Sequence, residues 1–589
     1  MDDIKYAGDS MFKSEVREGM RIDWDVPIEM DDGLVLRANV YRPDDDGQYP
    51  VIMSHGPYGK DLHFEELYST CWELMCENHP DVPAGSTNIH QSWEVCDPEK
   101  WVPHGYICLR VDSRGAGRSP GYLEHFSPRE NKDFYDCIEW AGVQPWSNGK
   151  IGLSGISYYG VNQWQVAALK PKHLAAMAVW EGFNDFYRES GYHGGIYSSF
   201  QRHWYDKQIM PIQHGYGDRG YKSRVTGEWA AGPETLSDEE LVANRYDLHG
   251  EFSAHELDDE FFQCRTPDLS KIETPLLSCA NWGGAPLHPR GNFNGFMEVS
   301  SKDKWLEVHG LEHWSLYYTD YGNDLQMRFF DCFLKGDDSG WKDQPRISLN
   351  VRHPGEKFVP RAENEWPLAR TEYTKFHLQP AGHVLSTEAQ SEDAEIAYEA
   401  YGDGVTFVST PVADDTEICG PMAVKLWASS STKDADFFVI LRVFQPDLKE
   451  VVFRGALDPH TPVASGWLRA SHRKLDPERS RPERPYQTHD EKQPLTPGEV
   501  YELDIEIHAS GIVVPKGYRF ALSIKGCDYV YPGEPNAGLS NMKNVFTGVG
   551  PFLHDDPDNR PDGIFDNTVT LHVGPDRPAH VLLPIIPNK

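Results

Sequence analysis

The feature that most constrains this chain is a set of apolar runs that each stop at glycine. "YPVIMSHGPY" (49–58), "YICLRVDSRGAGRSPG" (106–121) and "IGLSGISYYG" (151–160) share the pattern. "HLAAMAVWEG" (173–182), "TPLLSCANW" (274–282) and "DKWLEVHG" (303–310) are further apolar runs closed by Gly or Trp. Runs without alternation suit strands buried on both faces, the situation in a parallel sheet covered by helices. A helical pattern lies between two of them. "NKDFYDCIEWAGVQ" (131–144) brings Phe134, Ile138 and Ala141 to one face. "LVLRANVYRP" (34–43) alternates and adds a strand before the first run. Strands alternating with helices predict an α/β architecture.

A chain of 589 residues is too long for one core. From 183 to 270 the texture changes to Tyr, His, Trp and charge, as in "GYHGGIYSSFQRHWYDKQIM" (191–210). This reads as helices without strands, a cap over the site. A second insertion, 60–100, holds another helical piece. After about 345, "DADFFVILRVF", "YELDIEIHAS" and "YRFALSIKG" are alternating or β-branched runs punctuated by Pro and Gly. They predict an all-β region, a sandwich of jelly-roll type. The expected division is 1–182 and 271–344 for the α/β part, 183–270 for the cap and 345–589 for the β region.

Composition excludes several functions. A formal charge of −35 argues against nucleic acid and against anionic membrane surfaces. The start "MDDIKYAGDS" has no basic or apolar segment of a secretory signal, and no apolar stretch is long enough to span a bilayer. Ten scattered cysteines without a CxxC pair read as reduced thiols, so the cytoplasm is the expected compartment. No H-E-x-x-H or carboxylate cluster suggests a metal, and no cofactor is expected. The oligomeric state is left open, a homo-oligomer included.

In "IGLSGISYYG" a strand runs into Ser157 between Gly155 and Gly160. A nucleophile elbow needs this geometry: a strained strand-to-helix turn that exposes a serine. The common form is G-x-S-x-G. Here the last glycine is one place late and Tyr159 stands in its position. A serine hydroxyl also needs an imidazole, a carboxylate behind it and oxyanion donors. In this order along a chain the histidine comes last. "DKWLEVHGLEHW" (303–314) supplies His309 at a strand end and His313 in the loop beyond Gly310, and His313 is the preferred base. A histidine packed beside Trp314 is the plainer alternative.

These pieces together resemble the cocaine esterase and X-Pro dipeptidyl-peptidase family of serine hydrolases, the CocE/NonD type. "SHGPYGK", "VDSRGAGRSPG", "GISYYG", "WEGFNDFYRE", "GLEHW" and "LRASHRKLD" are similar to its loops, elbow, cap entry, histidine loop and jelly-roll region. The resemblance implies an α/β-hydrolase fold with a helical cap and a carboxy-terminal jelly roll. It implies Ser157 as nucleophile, His313 as base, and oxyanion donors from the Tyr58 hydroxyl and the Tyr158 backbone N–H.

One position departs from that family. Its acid sits two residues after a tryptophan, and here "NWGGAP" puts Gly284 in that place after Trp282. Glu181, closing the preceding strand, is the tentative substitute. Asp185, Glu312 and a Ser–His pair without an acid are the alternatives. His193, Trp204, Trp282 and His288 are candidates for lining the substrate pocket. The expected activity is hydrolysis of an acyl ester or amide of a small molecule through an acyl-enzyme. Acyl transfer, carbon–carbon bond hydrolysis and X-Pro dipeptidyl-peptidase activity are alternatives on the same scaffold. A non-catalytic ligand- or carbohydrate-binding protein is the alternative from another class.

Overall fold

The computed structural model describes residues 6, 8–533, 539 and 546–587. The apolar runs and the alternating stretch 34–43 form strands as expected, and further strands join them. In chain order the first are β1 (Lys13–Arg17), β2 (Met20–Glu29), β3 (Val35–Pro43), β4 (Tyr49–Gly56), β5 (Ile107–Asp112), β6 (Ser147–Ile156) and β7 (Leu174–Trp180). After a short hairpin, β8 (Tyr192–His193) and β9 (Ile196–Tyr197), come β10 (Leu276–Asn281), β11 (Lys304–His309) and β12 (Ile347–His353). The main sheet runs β1-β2-β3-β5-β4-β6-β7-β10-β11-β12. The first three pairings are antiparallel and the other six parallel. Every residue of β5 and β10 is buried, which explains why these runs lack alternation.

The helix read at 131–144 spans Pro128–Gly142. Ser127 caps it by accepting the Glu130 N–H, and Pro128 fills the first position, where no donor is needed. The helix after the elbow, Tyr158–Ala168, is buried over nearly its whole length.

The segment 183–270 departs from the expectation of helices alone. It contains the β8–β9 hairpin, and its α-helices are short, the longest being Leu248–Ala254 with 7 residues. Glycine explains the hairpin. Gly194 and Gly195 take φ of +58° and +90°, and a Cβ on Gly194 would stand 2.1 Å from the Trp467 carbonyl. The turn can therefore press its backbone onto the carboxy-terminal strands, and helix-period reading cannot detect that.

Beyond β12 the described chain is mostly antiparallel β structure. Thr416–Ser430 pairs with Tyr501–Val514, and Asp436–Phe444 lies between Ala464–Arg469 and Arg519–Lys525. Val424, Val439, Leu441, Leu522 and Ile524 form part of one core there. β12 meets Tyr501–Val514 at Arg352 and Ile512, so the two sheets join. All ten cysteines are free thiols, and among the described residues no helix is long and apolar enough to cross a membrane.

Two glycines at the β6–helix junction serve close packing. A Cβ on Gly160 would lie 2.7 Å from the Trp180 carbonyl, and one on Gly155 would lie 2.3 Å from the Tyr159 Cβ. Helix propensity alone predicts that Gly160→Ala stabilises by about 1 kcal/mol. The backbone clash reverses the sign: the variant is expected to lose roughly 1–3 kcal/mol. Urea unfolding monitored by tryptophan fluorescence checks this, and a higher midpoint would refute the packing argument.

Candidate active site

Ser157 stands at the C-terminal end of β6 with φ +54° and ψ −113°. That backbone costs a non-glycine residue roughly 1–3 kcal/mol and persists only where its surroundings enforce it. Three hydrogen bonds do so. The Ser157 N–H donates to the Trp180 carbonyl (3.0 Å), the Ile156 N–H to the Glu94 carbonyl (3.1 Å), and the Val161 N–H to the Ser157 carbonyl (2.7 Å). The late glycine has a structural reason. Tyr159 fills the usual glycine position because Gly56 makes room for it: a Cβ there would meet the Tyr159 ring at 2.7 Å.

Ser157 opens into a pocket lined mostly by aromatic side chains. Tyr58, Trp204, His288, His313 and Glu94 share its lining, with Ala456, Leu457 and Phe552 contributed from the carboxy-terminal region. Tyr58 and Trp204 are bonded, the indole N–H donating to the phenol oxygen at 2.9 Å. Indole only donates, so the Tyr58 proton is left free for another acceptor. Burial raises the Tyr58 phenol well above its usual pKa, so it stays a neutral donor. The Tyr158 N–H lies in the first turn of its helix, where amides lack intrahelical partners and the dipole is positive. The Tyr158 side chain serves elsewhere: its hydroxyl donates to the Glu130 carboxylate at 2.7 Å.

Glu181 closes β7 with φ +43° and is fully buried. Its Oε2 accepts from His313 Nδ1 at 2.7 Å. Its Oε1 accepts from Asn281 Nδ2 at 3.1 Å and lies 3.4 Å from His309 Nε2. Burial pushes its pKa up, but the charge of His313 and the bonds from both imidazoles outweigh this and hold it at about 2. A Cβ on Gly284 would lie 3.5 Å from Glu181 Oε2. The glutamate therefore reaches from β7 into the space beside the position where the resemblance implied an acid.

The other acid candidates stand elsewhere. Asp185 accepts the Arg188 N–H at 2.9 Å and pairs with its guanidinium. Glu312 pairs with Arg454 at 2.7 Å. His309 pairs with Glu307 at 2.7 Å.

Two contacts were not anticipated. His313 Nε2, the nitrogen a base would turn to the serine, lies 3.1 Å from Glu94 Oε1. Flanked by two carboxylates, the imidazole is raised to about 10 despite burial. Glu94 itself is raised to about 7, chiefly by burial. Glu94 has φ +61° and lies in the 60–100 insertion. No motif marks it, and a positive φ outside glycine leaves no trace in sequence. The second contact is from Ser157 Oγ, which lies 3.1 Å from His288 Nε2.

Two of the four residues expected at the pocket are displaced. His193 is drawn away by the glycine hairpin, and its Nδ1 meets His554 Nε2 at 2.8 Å. Trp282 turns into a core with Phe293 and Trp366 and donates to the Asn350 carbonyl at 2.8 Å. Its ring packs close under Gly511, which leaves room for so large a side chain. Trp204 and His288 do line the pocket. Among the described residues no group of His, Cys, Asp and Glu has the arrangement of a metal site.

Comparison with known proteins gives the family of the chain. Residues 32–315 match the family model of X-Pro dipeptidyl-peptidase (S15 family), and 339–581 match that of the X-Pro dipeptidyl-peptidase C-terminal non-catalytic domain. Cocaine esterase of a Rhodococcus species is 24% identical, over 95% of this chain and 98% of that protein. Xaa-Pro dipeptidyl-peptidase of Streptococcus pneumoniae is 20% identical, over 32% of this chain and 31% of that protein. The crystal structure of a CocE/NonD family hydrolase from Staphylococcus aureus is 32% identical, covers 98% of this chain and 97% of its own, and superposes with a TM-score of 0.83. With that identity sustained over almost the whole of both chains, the protein belongs to the CocE/NonD family of serine hydrolases.

Proposed function

We propose that this enzyme cleaves an acyl ester of a small molecule, with Ser157 as the nucleophile, His313 as the base and Glu181 as the acid. The observation that carries the reading is the strained Ser157 in one pocket with an imidazole backed by a buried carboxylate at 2.7 Å. In the acylation step His313 Nε2 takes the Ser157 proton as Oγ attacks the carbonyl carbon. Tyr58 and the Tyr158 N–H receive the negative oxygen, and His313 returns the proton to the leaving group. For this the imidazole must exchange Glu94 for Ser157 at Nε2.

Ester substrates suit the pocket better than dipeptides. Glu94 is the one carboxylate among its described lining residues, and His313 already engages it. A peptide ammonium would need acids that are free. We infer an α/β-hydrolase sheet followed by a jelly-roll region, a reading supported by the parallel order around β6 and the antiparallel pairings after β12. The ten thiols support a cytoplasmic setting.

A fluorophosphonate added to the wild type is expected to leave one adduct by intact mass, and none on Ser157→Ala. Labelling that survives the substitution would refute Ser157 as nucleophile. Glu181→Gln is expected to lower kcat for p-nitrophenyl acetate by roughly 10²–10⁴-fold, as loss of an orienting carboxylate does. Adding Gly284→Asp to that variant should restore about tenfold or more, because the two positions share one space. Unchanged turnover in Glu181→Gln would remove it from the mechanism.

Glu94→Gln tests the second carboxylate. Two anions favour protonated His313, so its loss of a proton, and the rise of kcat/KM with pH, lies high in the wild type. Removing one anion favours the neutral imidazole. The ascending limb should move to lower pH by about one unit or more. A limb that stays or moves upward would show that Glu94 does not act on His313.

A further inference from the structure

His288 touches the reacting oxygen, and the Ser157–His313–Glu181 reading gives it no task. Its Nε2 lies 3.1 Å from Ser157 Oγ. The residue is 3% exposed and immediately precedes the helix Pro289–Glu298, with no capping bond from its side chain. Its ring lies nearly parallel to two neighbours, with centroids 6.0 Å from that of Phe183 and 5.2 Å from that of His313 and interplanar angles of 13° and 5°. The ring therefore has a fixed orientation, and one nitrogen is aimed at the serine.

The other nitrogen identifies the proton's place. Among the described residues Nδ1 is buried and has no hydrogen-bond partner. Burial, followed by the charge on His313, keeps this imidazole neutral. A neutral imidazole carries one N–H. If the proton were on Nδ1, a buried donor would be orphaned, the arrangement folded proteins avoid most strongly. With the proton on Nε2 only a lone pair is left unmatched, and the N–H points at Ser157 Oγ. His288 thus donates to the serine oxygen. It does not accept the serine proton, which remains available to His313.

We propose that His288 is a catalytic residue of this site: a neutral Nε2–H donor that stabilises Ser157 Oγ as it leaves the acyl-enzyme. The proposal rests on the reading of Ser157 as an acylated nucleophile. In deacylation a water oxygen bonds to the acyl carbon and its proton passes to His313 Nε2. The C–Oγ bond then breaks, its electron pair goes to Oγ, and His313 returns the proton to that oxygen. His288 keeps its own proton throughout and shares it with Oγ while negative charge builds there. The contribution is that of a preorganised donor, as in an oxyanion hole, but aimed at the leaving oxygen instead of the carbonyl oxygen.

Two reagents separate the half-reactions. Fluorophosphonate labelling reports attack by Ser157 alone, and stopped-flow hydrolysis of p-nitrophenyl acetate reports attack and deacylation in sequence. His288→Ala should slow deacylation by roughly 10²-fold. It should then show a stoichiometric burst and an acetyl adduct by intact mass, while labelling falls less than about tenfold. His288→Gln, whose amide N–H can take the place of Nε2–H, should recover most of the deacylation rate. It also serves as the test if the alanine variant does not fold. Three results would overturn the proposal: equal loss in both steps, no loss in either, or labelling of His288→Ala abolished in folded protein, which would make His288 the base. Failure of the wild type to label at all would refute the reading of Ser157, a result distinct from these.

Discussion

The 2.7 Å hydrogen bond between Glu181 and His313 is the contact on which the site depends. A carboxylate with no exposed surface is costly unless charge and donors surround it. Here His313, His309 and Asn281 surround it, and each comes from the carboxyl end of β10 or β11 or the loop just beyond. The same cluster therefore fixes the histidine loop, anchors the end of β7, and holds an anion behind the imidazole. Losing one partner would leave a buried charge unmatched, so the group stands as a unit.

Around that pair the site is assembled from distant segments. The insertion after β4 brings Glu94 to His313 and, through its carbonyl, to the end of β6. The segment after β7 brings Trp204 to Tyr58. The carboxy-terminal region brings Ala456, whose carbonyl accepts the His313 N–H at 3.1 Å, and its own N–H donates to the Gly283 carbonyl. The β region is thus bonded directly to both loops that flank the imidazole, and it forms one wall of the pocket. Two stacked histidines of unlike charge sit side by side in this space. The carboxylates favour the proton on His313, and the apolar surroundings deny it to His288.

Much of this was legible in sequence, and the reason is local. The parallel strands announce themselves because burial on both faces removes alternation, as in β5 and β10. Ser157 is marked by the glycines that its tight turn requires on either side. The cap was harder. Its hairpin is built on two glycines and its helices are short, so no periodic pattern runs long enough to register. His193 and Trp282 turn away from the pocket for a related reason: neither a place in the segment after β7 nor one at the end of a strand says which way a side chain faces.

The sequence by itself determined the α/β order, the serine at its strand end and the histidine loop. These follow from spacing along one strand, turn or helix, where neighbours in sequence are neighbours in space. Only the tertiary structure decided that Glu181 reaches the imidazole, that Glu94 faces its other nitrogen and that His288 points at Ser157. Each of those pairs joins segments 131 to 219 residues apart. Their distances depend on how strands order in the sheet and how insertions fold back, and no local pattern encodes that.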